Sequence, residues 1–339
     1  MRALAFNFPM AATLVLSSFS ALAQDRVVAA GSTFAAPLYQ KWIASFTKTH
    51  PGAAIEYQAT GSAEGLRRLE HGQIDFAASD ILPGVDETNR NKFALFPVGV
   101  GAIVPAYNLP GVLKEIRFTP EILADIYLGQ IRNWNDPLIE AANHGVKLPS
   151  ERIIVIHRSD GSGTTYVWSD YLSKTSAHWR SKMGTGGSLA WPVGEGAPGN
   201  GGVAEAVTRT AYSFGYVEYI FAIERRLSFG TVRNAPGKYV RADIDSITAS
   251  AEEARGSDDL KTSLTNLSDA KAYPIASFTW LIVSRSLSGA KRDHVLAFLD
   301  WVLSAGQRQA AALGYIALPE YVAAQERKTV EQMSADRKR

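Results

Sequence analysis

The sequence contains no cysteine. That excludes a disulfide framework, a thiol nucleophile and a thiolate metal centre, and it leaves no N-terminal cysteine for a lipoprotein to acylate. An excess of one charge is also missing, since 35 Lys and Arg face 33 Asp and Glu for a formal net charge of +2. Nucleic acid, or any partner drawn by bulk electrostatics, is therefore not expected. The histidines, His50, His71, His144, His157, His178 and His294, show no H-x-x-x-H pairing. No metal site, cofactor or metal-dependent phosphatase chemistry is expected from them. The G-x-x-x-x-G-K-[ST] loop that cradles nucleotide phosphates and the G-x-S-x-G elbow of serine hydrolases are both absent. Beyond the first residues no apolar run approaches the roughly 20 residues of a spanning helix, so no direct membrane insertion is expected.

What stands at the start is Arg2, an apolar stretch over 11–22, and Ala21-Leu22-Ala23 before Gln24. A basic residue, a short apolar region and a small-x-small site read as a cleaved secretory signal peptide over 1–23. The mature chain is then expected free in the bacterial periplasm. A length of 339 residues is enough for two domains, each with its own core.

Apolar runs and amphipathic stretches alternate, the pattern of an α/β protein. Strands are predicted over 27–30, 54–57, 74–78, 96–107, 153–157 and 275–283. Helices are predicted over 37–49, 62–71, 120–128, 166–173, 203–210, 292–304 and 307–313. The Gly- and Pro-rich stretch 184–202 reads as loop, and 241–270 as a polar span of low hydrophobicity. The charged tail 326–339 reads as a solvated helix or a frayed end. Two long apolar strands flank the central segment. They predict a discontinuous first lobe, 24–104 with 275–339, and a second lobe, 105–274, with the ligand in the cleft between them.

The most informative run is Arg158-Ser159-Asp160-Gly161-Ser162-Gly163-Thr164-Thr165, between a predicted strand and a predicted helix. A helix N-terminus leaves backbone N–H groups unpaired at the positive end of the macrodipole, which suits an oxyanion. The glycines let the backbone approach a ligand, Ser162, Thr164 and Thr165 bring hydroxyls, and Arg158 offers a planar fork of donors. The same residue types also serve an ordinary capping turn. Three more stretches end predicted strands with small hydroxyl or acidic residues: Gly31-Ser32-Thr33-Phe34-Ala35-Ala36-Pro37, Thr60-Gly61-Ser62 and Asp75-Phe76-Ala77-Ala78-Ser79-Asp80. In an open α/β sheet, ligands bind at that edge.

With these stretches, and with Ile126-Tyr127-Leu128-Gly129, Asn133-Trp134, Trp191-Pro192, Gly215-Tyr216-Val217-Glu218-Tyr219 and Leu318-Pro319 in the same order, the chain resembles the periplasmic phosphate-binding receptors of bacterial Pst-type ABC transporters. The resemblance covers nearly the whole mature chain. It implies a two-lobed, type II periplasmic binding protein, α/β in class, that closes on inorganic phosphate without chemistry. It also implies a monomer that hands the ion to a membrane ABC permease. Carried over residue by residue, Thr33, the Phe34 N–H, Ser62 and Asp80 come from the first lobe. Arg158, Asp160, Ser162, Gly163 and Thr164 come from the second. Two departures accompany the likeness. Ala63-Glu64 stand where Ser-Gly often follows Ser62, bringing a negative charge near an anion site, and Gly201 stands where Asp is common, which bears on loop order more than on ligand contact.

The residue types explain specificity. A dry cleft holds a dianion when its oxygens accept hydrogen bonds from hydroxyls, amides and one Arg. A carboxylate such as Asp80 repels an anion unless the ligand carries a proton that it can accept; phosphate does at neutral pH and sulfate does not. Asp80 is thus the expected discriminator, and Asp160 the residue that holds Arg158. A receptor for another oxyanion, an envelope sensor, or a hydrolase using Ser162 are the other readings of the same residues. Trp134 and Trp191, in loop-like stretches, belong either at the cleft rim or in the core.

Overall fold

The computed structural model describes residues 26–82, 91–253 and 263–335. The signal-peptide expectation lies outside the described residues. Strand β1 (Val27–Gly31) is buried along nearly its whole length and leads through Ser32 and Thr33 into helix α1 (Ala36–Thr49). Pro37 presets the first turn of α1, and Leu38, Tyr39, Trp42 and Phe46 give it one buried apolar face. Strand β2 (Ile55–Ala59), helix α2 (Ser62–Glu70) and strand β3 (Phe76–Ser79) follow, with β1 parallel to both neighbours. Ser32, Ser62 and Asp80 therefore share one sheet edge, beyond the carboxyl ends of three adjacent parallel strands.

Strand β4 (Phe93–Tyr107) has 15 residues. The chain then runs through β5 (Arg117–Phe118), α3 (Pro120–Tyr127), α4 (Pro137–Ala142), β6 (Ile154–Arg158), α5 (Gly163–Thr175), α6 (Ala177–Lys182), β7 (Glu195–Ala197), α7 (Gly199–Arg209) and β8 (Ser213–Glu218). Next come α8 (Tyr219–Glu224), β9 (Ser228–Phe229), β10 (Thr231–Arg233), β11 (Tyr239–Val240) and α9 (Ile244–Glu253). It closes with β12 (Ala276–Ser284), α10 (Gly289–Trp301), a π turn, α11 (Gln307–Ala310) and α12 (Glu320–Ala335).

Among the described residues the main sheet runs β2-β1-β3-β12-β4-β8-β6-β7, with β9 added on β4. The partner of β4 changes midway: Phe93 to Ala102 pairs antiparallel with β12, whereas Ile103 to Tyr107 pairs with β8. One strand thus belongs to both lobes, and its near-unbroken burial follows from being covered on each side in turn. The returning chain runs beside the junction. Ile103 N–H donates to Ile275 O at 2.9 Å, and Tyr273 OH donates to Ile103 O at 3.0 Å.

Four expectations change. Helix α5 begins at Gly163, three residues before the predicted start, because Ser162 caps it through its Oγ, which accepts from Thr165 N–H at 3.0 Å. Helix α7 begins at Gly199, inside the predicted loop. The polar span contains α9, whose Ile247 and Ala251 are buried. The tail, up to residue 335, continues the helix α12 and buries Val330 and Met333, with Arg327 Nε on Asp300 at 2.9 Å, so it is neither frayed nor wholly solvated there.

Candidate functional site

Two helix N-termini meet across the cleft, α2 from the first lobe and α5 from the second. A β-carbon placed on Gly163 would stand 2.5 Å from both Asp80 Oδ2 and Ser62 Oγ. At the other side of the contact, Gly61 has φ of +92°, and a β-carbon there would stand 2.6 Å from Gly161 O. Only glycine fits such approaches without displacement. Ala63 N–H also donates to Gly161 O, at 3.3 Å.

Asp80 is buried in the first-lobe wall. Its Oδ2 accepts from Ser32 Oγ at 2.7 Å and from Ser62 Oγ at 3.2 Å, and its Oδ1 accepts from Thr279 Oγ1 at 2.8 Å. Burial pushes its carboxyl up to about 6, against the pull of these three hydroxyls and of Arg158. Behind them, Tyr57 OH donates to Ser32 O at 2.6 Å, and Tyr39 OH pairs with Thr279 Oγ1 at 2.7 Å. The carboxylate is therefore held by a rigid wall of hydroxyls and retains an acceptor lone pair for a further donor.

Arg158 supplies the second lobe. Its Nε donates to Asp160 Oδ1 at 2.7 Å, its Nη2 to Asp160 Oδ2, and its Nη1 to Thr164 Oγ1 at 3.2 Å. Three of its five N–H donors are thereby engaged, and Arg158 is 3% exposed, so its remaining donors have one fixed direction. Burial acts to raise the Asp160 carboxyl, but Arg158 together with the Gly199 N–H at 3.0 Å holds it below the usual carboxylate range. Asp160 is thus the group that orients Arg158, as expected. Tyr216 forms the floor: its OH accepts from Arg158 N–H at 3.2 Å, pairs with Thr165 Oγ1 at 2.6 Å, and its ring stacks on Trp168.

The arrangement is a buried ring of donors contributed by both lobes, with the Asp80 carboxylate beside it and the Asp160 carboxylate occupied by Arg158. The matching family model is that of the PBP superfamily domain, over residues 17–305. The chain is similar to the phosphate-binding protein PstS of Pasteurella multocida, 36% identical over 318 residues and 92% of each chain. It is also similar to the PstS of Xylella fastidiosa strain Temecula1, 38% identical over 298 residues, 87% of this chain and 82% of that one. This chain belongs to the PstS family of the PBP superfamily. The solved phosphate-binding protein from Stenotrophomonas maltophilia shares the fold at a TM-score of 0.67 and 18% identity, over 89% of this chain and 93% of its own.

Seen as a PstS-family site, the sequence expectations fall into three groups. Thr33, Ser62, Asp80, Arg158, Asp160, Ser162, Gly163 and Thr164 all gather at the cleft, the two half-sites touching through Gly163. Phe34 is present too, but its N–H donates to Ser32 Oγ at 3.0 Å and its ring lies against Gly101. Ser162 uses its N–H on Gly187 O and its Oγ as the α5 cap. Glu64 turns to solvent, where Arg67 grips both its oxygens at 2.7 Å, so it adds no charge inside the cleft. Trp134 is fully buried between Tyr107 and Phe214, with Nε1 donating to Tyr212 O, and Trp191 stacks on His157.

Sequence reasoning missed Ser32, Thr279 and Asn200. Asn200 is fully buried in the first turn of α7, donating to Thr33 from the first lobe and Thr164 from the second. Its signal lay in the Gly-Asn-Gly-Gly run, read as loop. Gly201 is part of the same helical turn rather than of a loop.

Among the described residues no helix is long and apolar enough to cross a membrane, and no group of His, Asp or Glu is placed to hold a metal.

Proposed function

We propose that this protein captures inorganic phosphate in the periplasm and delivers it to a membrane ABC permease, acting as a monomer after loss of residues 1–23. The supporting observation is the meeting of the two half-sites: donors from α2, α5, Thr33, Thr164 and Arg158 face one another beside the buried carboxylate of Asp80. Such a ring suits a tetrahedral oxyanion, and the carboxylate suits one that still carries a proton. The relatives named phosphate-binding protein PstS support the same ligand.

The lobes of this reading are 24–104 with 275–339, and 105–274. The change of partner on β4 between Ala102 and Ile103, and the return past Ile275, support that division. Phosphate bridging Ser62 and Asp80 to Arg158 and Thr164 stabilises the closed form through contacts available only when the lobes meet. Ser162 Oγ serves as the cap of α5, accepting from Thr165 N–H, and the relatives named phosphate-binding protein support binding without chemistry.

Isothermal titration calorimetry tests this on the mature protein freed of anion by unfolding and refolding. One-to-one binding of phosphate without a sulfate response at neutral pH is the expected result. Sulfate binding would overturn the ligand, and binding of neither anion would overturn the function.

A further inference from the structure

A hydroxyl oxygen can accept two hydrogen bonds and donate one. At Thr164, Oγ1 accepts from Arg158 Nη1 at 3.2 Å and from Asn200 Nδ2 at 2.9 Å. At Thr33, across the cleft, Oγ1 accepts from the Asn200 backbone N–H at 3.2 Å and from Asn200 Nδ2 at 3.1 Å. Both acceptor positions are filled on both threonines. Each hydroxyl is left with its hydrogen alone, and can act toward a ligand only as a donor.

The amide of Asn200 has two ends, and its neighbours decide which faces the threonines. Its Oδ1 accepts from the Glu218 backbone N–H at 2.9 Å. A backbone N–H cannot be turned into an acceptor, so the oxygen must lie on that side and the NH2 group must face Thr33 and Thr164. All the side-chain polar atoms of this fully buried residue are thereby matched.

We infer that Asn200 is a positioning residue that fixes the polarity of the cleft. It makes one hydroxyl from each lobe an obligate donor, and links the lobes by the same amide. The cleft then offers only hydrogens along the Thr33 and Thr164 edge, so a ligand O–H finds no acceptor there. A ligand proton is directed to Asp80. This deepens the phosphate reading and rests on it.

The decisive substitution is Asn200→Asp, which keeps shape and the bond from Glu218 but replaces the NH2 donor with an acceptor. Thr33 and Thr164 would then turn their hydrogens onto the new carboxylate and away from the ligand. Calorimetry should show phosphate affinity falling by about a hundredfold, the effect of withdrawing two buried donors. In a Thr33→Val, Thr164→Val background, titrated at millimolar phosphate, the same substitution should change affinity by less than about threefold, because no hydroxyl remains to be turned. An undiminished loss in that background would mean that the new charge repels the anion directly, and would overturn the assignment. So would wild-type affinity in the single variant. If circular dichroism shows that Asn200→Asp does not fold, Asn200→Ala replaces it in the same cycle, with an expected loss of about tenfold that again disappears without the threonines. Failure of the parent protein to bind phosphate would instead overturn the functional reading beneath it.

Discussion

Gly163 and Asp80 belong to opposite lobes, yet a single added carbon on Gly163 would overlap the carboxylate at 2.5 Å. Gly163→Ala should therefore hold the cleft ajar. Overpacking of this kind costs about 1–3 kcal/mol, and since open protein does not have the bridged site, phosphate affinity should fall by about ten- to a hundredfold. Small-angle scattering with saturating phosphate measures the closure directly. A variant as compact and as tight-binding as the parent would mean that closure does not bring these residues together.

Arg158→Ala removes the guanidinium and also leaves the Asp160 carboxylate without its bidentate partner. Breaking a buried charge pair on one side costs about 2–5 kcal/mol, so phosphate binding should weaken at least about thirtyfold, with the far-UV dichroism unchanged. Arg158→Lys keeps the charge but cannot span both Asp160 oxygens and Thr164, and should lie between the two. Titration calorimetry of both variants checks the order.

Sulfate exclusion should depend on the protonation of Asp80. When ionised, this carboxylate sets lone pairs against sulfate oxygens, a mismatch that sites built on a required hydrogen bond reject by about 10⁴ to 10⁵. Asp80→Asn adds a donor and should raise sulfate affinity by at least about tenfold at pH 8. In the parent protein, sulfate competition should grow as the pH falls through about 6, where Asp80 gains a proton that it can donate. Competition measured at pH 5 and pH 8 checks both.

The same carboxyl sets a sign for stability. Its folded value, about 6, stands above its ordinary 3.8, so the folded chain holds this proton more tightly than the unfolded chain. The contribution is most favourable below the ordinary value and is lost as pH rises through 6, on the order of 3 kcal/mol by pH 8. Thermal melts of anion-free protein at pH 5 and pH 8 should show a gap that narrows by several degrees in Asp80→Asn.

Much of this site was legible in the sequence because its chemistry is local. Arg158, Asp160, Ser162, Gly163 and Thr164 occupy one strand-to-helix turn, whose composition suits an oxyanion as well as an ordinary helix cap, and the other strand-end stretches tip the balance. Asp80 was legible as an odd carboxylate among donors. The rest depends on distance in space. Thr279 lies 199 residues from Asp80, on a strand read only as core, and nothing in its neighbourhood distinguishes it. Ser32 stands beside Thr33, and only the fold shows that Ser32 takes the carboxylate and the Phe34 N–H. Asn200 was hidden by its glycines, which predict a loop when Pro198 and the Gly199 backbone, with φ of +65°, in fact start a helix. The packing of the charged tail is hidden because its buried Val330 and Met333 are sparse among charges, and their burial comes from docking onto α10 rather than from a strong apolar stripe.

The strand shared by the two lobes also bears on how the molecule comes into being. Strand β12, made of residues 276–284, sits between β3 and β4, so the sheet of the first lobe has a gap at its centre until most of the chain has emerged. The strands of the second lobe, β6, β7 and β8, are contiguous in sequence and need no late partner. Loop closure over such a span carries an entropic cost that local pairing does not. The part of the protein that is first in sequence is thus the last to be completed, and the phosphate site, which draws on both lobes, forms only when the final quarter of the chain has threaded back between two strands made long before it.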